Sequence, residues 1–196
     1  MKILAIIPAR WSSTRLPGKP LSDINGKPMI AHLIEQLERI GLRRVIILTG
    51  YLSDSVEQFC KTLNSKIEIV CLKGGVELTP AQRLINNEPK IGNDFLLLYC
   101  DNYVKSDDTI KRILDSDNEI TFLIQERFEG NVRITVEKKV EYSDGPRSSE
   151  YGFVELGYIK INTPSFFETL KLQKNLNVTL SVLSHKFSCS FKYFFI

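Results

Sequence analysis

At 196 residues, 43% hydrophobic and 25% charged, the chain is long enough to bury a sizeable core in a single domain, and its composition excludes a disordered segment. A net charge of +3 with dispersed Lys and Arg argues against a nucleic-acid surface or a membrane patch. The apolar start is too short for a signal peptide and no stretch approaches the roughly 20 apolar residues of a membrane span, so the expected compartment is the cytoplasm.

The first element is a continuous apolar run, Ile3 to Ile7, which suits a strand buried on both faces of a parallel sheet, with Pro8 as its expected end. Past Pro8, Arg10, Arg15 and Lys19 fall within ten residues, beside Ser12, Ser13, Thr14 and Gly18, whose small size lets backbone N–H groups approach an anion. Arginine's fork pairs with two phosphate oxygens and lysine acts as a point charge, so this loop reads as a phosphate holder. The competing reading is a solvated basic turn. The loop's position favours the first, because ligands of open parallel sheets sit at the carboxyl ends of the strands. Neither common phosphate motif is present: no Gly-x-Gly-x-x-Gly follows the strand, and Gly18-Lys19 and Gly26-Lys27 both precede proline.

Pro28 opens a helix in which Met29, Ile30, Leu33, Ile34, Leu37 and Ile40 recur at helical spacing, with Gly41 as its stop. Val45 to Leu48 gives a second buried strand and completes a βαβ unit. A helix capped by Ser53 or Asp54 follows, with Val56, Phe59, Cys60 and Leu63 inward, then a strand from Ile67 to Leu72. Gly74 to Leu84 is a glycine turn feeding a short helix. Thr79 and Gln82 there suit either a base-binding loop or a capped helix start. Phe95 to Cys100 is the most hydrophobic strand, expected at the sheet centre, and Asp101-Asn102 stands at its carboxyl end. A carboxylate leaving such a strand suits Mg²⁺, which takes one or two carboxylates and completes its shell with phosphate and water; the alternative is an Asp capping a turn.

The second part of the chain reads as a helix capped by Asp107 or Asp108, antiparallel strands over Glu119 to Ile124, Val132 to Tyr142 and Tyr151 to Ile161, and a helix capped by Thr163 with Pro164 in its first turn. Cys60, Cys71, Cys100 and Cys189 show no metal or redox spacing and read as small core residues; His32 and His185 lack ligand partners at useful spacing. Trp11 suits either stacking on a base or packing within its own domain.

The run Pro8-Ala9-Arg10 … Ser13-Thr14-Arg15-Leu16-Pro17-Gly18-Lys19-Pro20-Leu21 … Asn25-Gly26-Lys27-Pro28-Met29-Ile30 resembles the amino-terminal signature of the sugar nucleotidyltransferases, and its Pro-Ala-Arg opening is most similar to cytidylyltransferases that activate acidic sugars. Leu97 to Tyr103 is similar instead to the Leu-x-Gly-Asp-Asn-Tyr stretch of hexose-phosphate nucleotidyltransferases, with Cys100 in place of glycine. The resemblance implies a Rossmann-like (GT-A-like), mostly parallel α/β sheet flanked by helices, with a smaller antiparallel sugar-binding region. It implies one domain over 1–196, with a nucleotide-binding half (1–118), a sugar-binding half (119–184) and an atypical tail (185–196). It implies joining of a sugar 1-phosphate to a nucleoside triphosphate, CTP or GTP, with release of pyrophosphate. Arg15, Lys19 and Asp101 are then catalytic, Asp101 the Mg²⁺ ligand. Ala9, Arg10, Ser13, Thr79 and Gln82 bind the nucleotide, and Asn102, Glu155 and Gly157 the sugar. A cytidylyltransferase acting on a free acidic sugar is the alternative, and homo-oligomerisation stays open.

Three departures follow from the same comparison. The family's second metal-binding aspartate, in a Trp-x-Asp-x-Gly context, has no counterpart; Tyr142-Ser143-Asp144 stands where a sugar-phosphate lysine is common; and the aromatic tail reads as a sheet edge or as out-of-frame sequence of a truncated gene. A non-catalytic nucleotide-binding relative is therefore the rival of a different class.

Overall fold

The computed structural model describes residues 3–9, 18–50 and 53–193. Its strands are β1 (Leu4–Ala9), β2 (Asp23–Ile24), β3 (Lys27–Pro28), β4 (Arg44–Thr49), β5 (Glu68–Lys73), β6 (Asp94–Leu98), β7 (Ile120–Glu126), β8 (Val132–Ile134), β9 (Val140–Tyr142), β10 (Phe153–Asn162) and β11 (Cys189–Tyr193). The helices are α1 (Met29–Arg39), α2 (Ser53–Thr62), α3 (Pro80–Asn86), α4 (Glu88–Ile91), α5 (Asp107–Leu114), α6 (Ser165–Gln173) and α7 (Leu176–Lys186).

Among the described residues one nine-stranded sheet runs in the order β11-β7-β10-β6-β1-β4-β5, with β8 and β9 attached through β10, and β2–β3 form a separate ribbon. The β5-β4-β1-β6 half is parallel throughout. Antiparallel β10 then joins β6 to β7, so the antiparallel region continues the main sheet. The expected Rossmann-like, mostly parallel architecture is what the chain adopts, and the Phe95 strand occupies the centre.

Strand alternation sorts the core into two layers. Ala5, Ile7, Val45, Ile47, Leu96 and Leu98 point to one face, under the apolar stripes of α1, α2 and α5. Leu4, Ile6, Ile46, Leu48, Phe95 and Leu97 point to the other, where Leu84, Phe166, Phe167, Leu170, Leu180 and Leu183 cover them. Each of these side chains larger than alanine contributes roughly 1.5–3 kcal/mol, enough to make these strands the rigid floor of whatever sits at their ends.

Several boundaries differ from expectation. Pro8 lies inside β1, paired with Leu48; the ladder to β6 has ended at Ile6, so the rim accepts a residue without an N–H. Ser106, whose hydroxyl accepts from Thr109 N–H, caps α5 in place of Asp107 or Asp108, and the α6 cap is Pro164 rather than Thr163. Val132 to Tyr142 is a hairpin of two short strands, turned at Lys138 with φ 60°. The tail supplies β11 at the sheet edge, parallel to β7, where Phe191 stacks on Phe122 at 5.8 Å and Ser190 meets Thr121 at 2.9 Å. No helix among the described residues is long and apolar enough to cross a membrane.

Candidate active site

The site lies at the carboxyl rim of the parallel strands. Gly18, at φ 75°, turns the chain into a short 3-10 segment that begins with Lys19. Lys19 Nζ meets Asp101 Oδ2 at 2.5 Å, joining the loop after β1 to the turn after β6 across 82 residues. Ala9 is buried where β1 ends. Arg10, Ser13 and Arg15, like Trp11, lie outside the described residues.

A cleft of about 510 Å³ opens over this pair, lined by Pro8, Lys19, Thr79, Arg83, Tyr99 and Asp101, and closed on the far side by Lys174 to Asn177 at the α6–α7 turn. Arg83, only 2% exposed, organises one wall. It donates to the carbonyls of Thr49, Gly75 and Leu78, fastening the loop before α3 to the end of β4. That packing needs glycine at position 50, where a Cβ would fall 2.4 Å from the guanidinium. Thr79 and Gln82 form a reciprocal capping box: Thr79 Oγ1 accepts from Gln82 N–H, and Gln82 Oε1 accepts from Thr79 N–H. The helix-start reading of these two residues is thus satisfied, with Thr79 also facing the cleft and Gln82 not among its lining.

The turn carrying Asp101 is held from beneath by a buried polar chain. Gln36 donates to Val104 carbonyl at 2.6 Å and accepts from Tyr158 hydroxyl at 3.0 Å, and Arg39 grips Asp107 at 3.0 Å, holding its carboxyl below the usual range. Burial pushes the Cys100 thiol up to about 12, aided by the neighbouring Asp101 charge, so Cys100 puts no thiolate beside the site. The four cysteines are free; Cys60 and Cys100 are buried, Cys71 and Cys189 half-buried.

On the other side of the turn a second cleft, about 540 Å³, is lined by Asn102, Gln125, Arg127, Phe128, Glu129, Arg147 and Glu155. Gly157 makes the junction. A register shift in β10 between Glu155 and Ile159 lets Gly157, at φ 74°, accept from Tyr99 N–H at 2.9 Å. A Cβ there would lie 2.8 Å from Asn102 Nδ2. Glu155 Oε1 accepts the Gly157 N–H. Desolvation pushes the Glu155 carboxyl up to about 8, against the downward pull of backbone N–H groups of Gly157 and Tyr158, so it is mostly uncharged at neutral pH. Lys19, Asp101 and Thr79 thus share one cleft, Asn102 and Glu155 the next, and Gly157 packs between them.

Sequence reasoning assigned no role to Arg83, Gln125, Arg127 or Arg147. Among the described residues no three His, Cys, Asp or Glu side chains gather as a metal cluster. Asp101 alone still suits Mg²⁺: its side chain is 38% exposed, and Oδ1 has no hydrogen-bond partner among the described residues. A cation whose remaining ligands come from phosphate and water asks for no more.

A cytidylyltransferase family model matches residues 4–79. The chain shares its fold with a Bacillus anthracis protein named a glucose-1-phosphate thymidylyltransferase, in complex with sucrose (TM-score 0.75, 16% identity, 98% of this chain and 87% of that one). It shares it equally with a UDP-glucose pyrophosphorylase complexed with UDP-glucose (0.75, 18%, 95% and 88%). A third is a CMP:2-keto-3-deoxy-manno-octonic acid synthetase complexed with CTP (0.70, 20%, 99% and 90%). The resemblance read from the sequence therefore stands, in the amino-terminal match and in the fold.

Proposed function

We propose that the chain is a nucleotidyltransferase that joins a sugar 1-phosphate to a nucleoside triphosphate, releasing pyrophosphate. The observation that carries this reading is the Lys19–Asp101 contact, which sets a cation and a carboxylate side by side at the carboxyl rim of a parallel sheet, between two clefts. The nucleotide occupies the first cleft and the acceptor the second, so they meet at Asp101-Asn102. A phosphate oxygen of the acceptor forms a bond to the α-phosphorus as the bond to the β-phosphate oxygen breaks, and the electron pair leaves with pyrophosphate. Lys19 exchanges Asp101 for the triphosphate, neutralises the charge on the departing group and releases Asp101 Oδ2. Mg²⁺ held by Asp101, when bound, supplies further charge neutralisation and in-line alignment. Arg10 and Arg15 belong with Lys19 in this role, and Ala9, Ser13 and Thr79 with the nucleotide.

The match of residues 4–79 to a cytidylyltransferase model supports a second reading, transfer from CTP to the anomeric hydroxyl of an acidic sugar. Pyrophosphate release from a panel of triphosphates with sugar 1-phosphates and sugar acids separates the two. In both, Lys19→Ala and Asp101→Ala are expected to lower kcat by about 100-fold or more while the fold persists. Turnover that survives both changes rejects the assignment, and nucleotide binding without turnover by the unmodified chain identifies a non-catalytic relative.

A further inference from the structure

The second cleft brings together a glutamine amide without protein partners and two arginines without ion pairs among the described residues. Gln125 is 6% exposed on β7, the strand next to the β11 edge, yet its amide has no hydrogen-bond partner among the described residues. Such an amide is left to bond with water or with a ligand. Its polar atoms are not among the fully enclosed orphans, which are Asn131 Oδ1 and Tyr142 hydroxyl; they open into the cleft that Gln125 lines.

The cleft's positive charges stand on its loops. Arg133, on the adjoining hairpin, is neutralised by Glu141 at 2.5 Å and Glu150 at 3.0 Å. Arg127 and Arg147, both exposed, form no ion pair among the described residues, and they line the same cleft from two different loops. Those loops are not loosely placed. Gly130 and Ser148 exchange backbone hydrogen bonds at 3.1 and 3.0 Å, and Arg127 N–H donates to Gly152 carbonyl at 2.9 Å. Two guanidinium forks and one amide share this cleft with Glu129 and the buried, largely protonated Glu155, a lining whose chemistry suits one anion on a hydroxylated ligand. Phe128, 87% exposed, adds an apolar wall suited to the C–H face of a pyranose.

We propose that Arg127 and Arg147 hold the anionic group of the acceptor sugar, and that Gln125 reads one of its hydroxyls, making these three residues the determinants of acceptor specificity. This rests on the preceding reading in taking the second cleft as the acceptor side. In a sugar 1-phosphate and in a sugar acid alike, the anion sits at or beside the anomeric carbon, so both are accommodated, and neutral sugars are rejected.

The test is calorimetric titration of the full chain with glucose 1-phosphate, mannose 1-phosphate, N-acetylneuraminate and glucose, each in parallel with CTP. At least one anionic sugar is expected to bind and glucose to bind at least about tenfold more weakly. The double variant R127Q/R147Q is expected to lose about tenfold or more in affinity for that sugar with CTP affinity unchanged, and the double Lys variant to recover part of the loss. Gln125→Leu should weaken sugar binding with Tm and CTP affinity little changed, a split that a purely structural glutamine would not give. Failure of every sugar to bind, equal binding of glucose, or unchanged affinity in R127Q/R147Q overturns the proposal. Loss of CTP binding by the unmodified chain instead counts against the preceding reading, since the sugar titration needs no nucleotide.

Discussion

The two clefts on either side of Asp101-Asn102 are built on opposite principles. In the first, opposite charges are already in contact: Lys19 sits on Asp101, the buried Arg83 spends its donors on the Thr49, Gly75 and Leu78 carbonyls, and Lys174 stands in the lining without an ion pair among the described residues. In the second, Gln125, Arg127 and Arg147 face the opening without protein partners among the described residues, and the buried Glu155 is mostly neutral. On the proposed reading, the cleft that receives a polyanion with its counter-cation holds both signs of charge beforehand, and the one that receives a single anion holds arginines without ion pairs.

The largest break in this contrast comes from Arg83. Replacing it by Met keeps much of the side-chain volume and strands three carbonyls around a buried site, at a cost of about 3 kcal/mol or more. Because the loop before α3 is then unfastened from β4, nucleotide affinity should fall with stability, whereas sugar affinity at the second cleft should not. Denaturant unfolding combined with the two titrations checks this. Equal losses at both clefts would mean that the clefts are not independently built.

Glu155 sharpens the contrast through pH. Its folded pKa, about 8, lies above the ordinary value of 4.5, so the folded protein holds a proton that the unfolded chain gives up. The associated stability is complete below about pH 4.5 and is lost as pH rises to about 8, by on the order of a few kcal/mol. Glu155→Gln cannot ionise, so its Tm should overtake that of the unmodified chain across this window. Parallel Tm profiles for the two proteins would show that the Glu155 carboxyl does not titrate as its burial demands.

How far the sequence went depends on the same division. β1, β4 and β6 are apolar runs buried on both faces, and α1 carries an uninterrupted stripe from Ile30 to Leu37, so the parallel half was readable from hydrophobic pattern alone. Lys19 and Asp101 were legible because both stand where such strands end. In the other half the pattern blurs. α7 has Thr179 and Ser184 fully buried among its leucines, which hid its periodicity, and the turn at Lys138 split what alternation presented as one strand. Gln125 looked like an ordinary residue of a strand. Arg127 and Arg147, twenty residues apart in sequence, become neighbours in one cleft only after the hairpin has folded back along β10.

Gln82 gives the smallest effect and the finest division. The sequence left it between reading a base and starting a helix, and its Oε1 accepts the Thr79 N–H within the capping box. Gln82→Ala removes that half of the box and leaves the bond from its own N–H to Thr79 Oγ1, so α3 should lose about 0.5–1 kcal/mol. If capping is its whole task, the preference among CTP, GTP, UTP and dTTP stays as it was, because Thr79 remains on the cleft wall. A change in that preference at a stability loss this small would place the Gln82 amide on the base edge instead, since a frayed first turn weakens all four triphosphates alike.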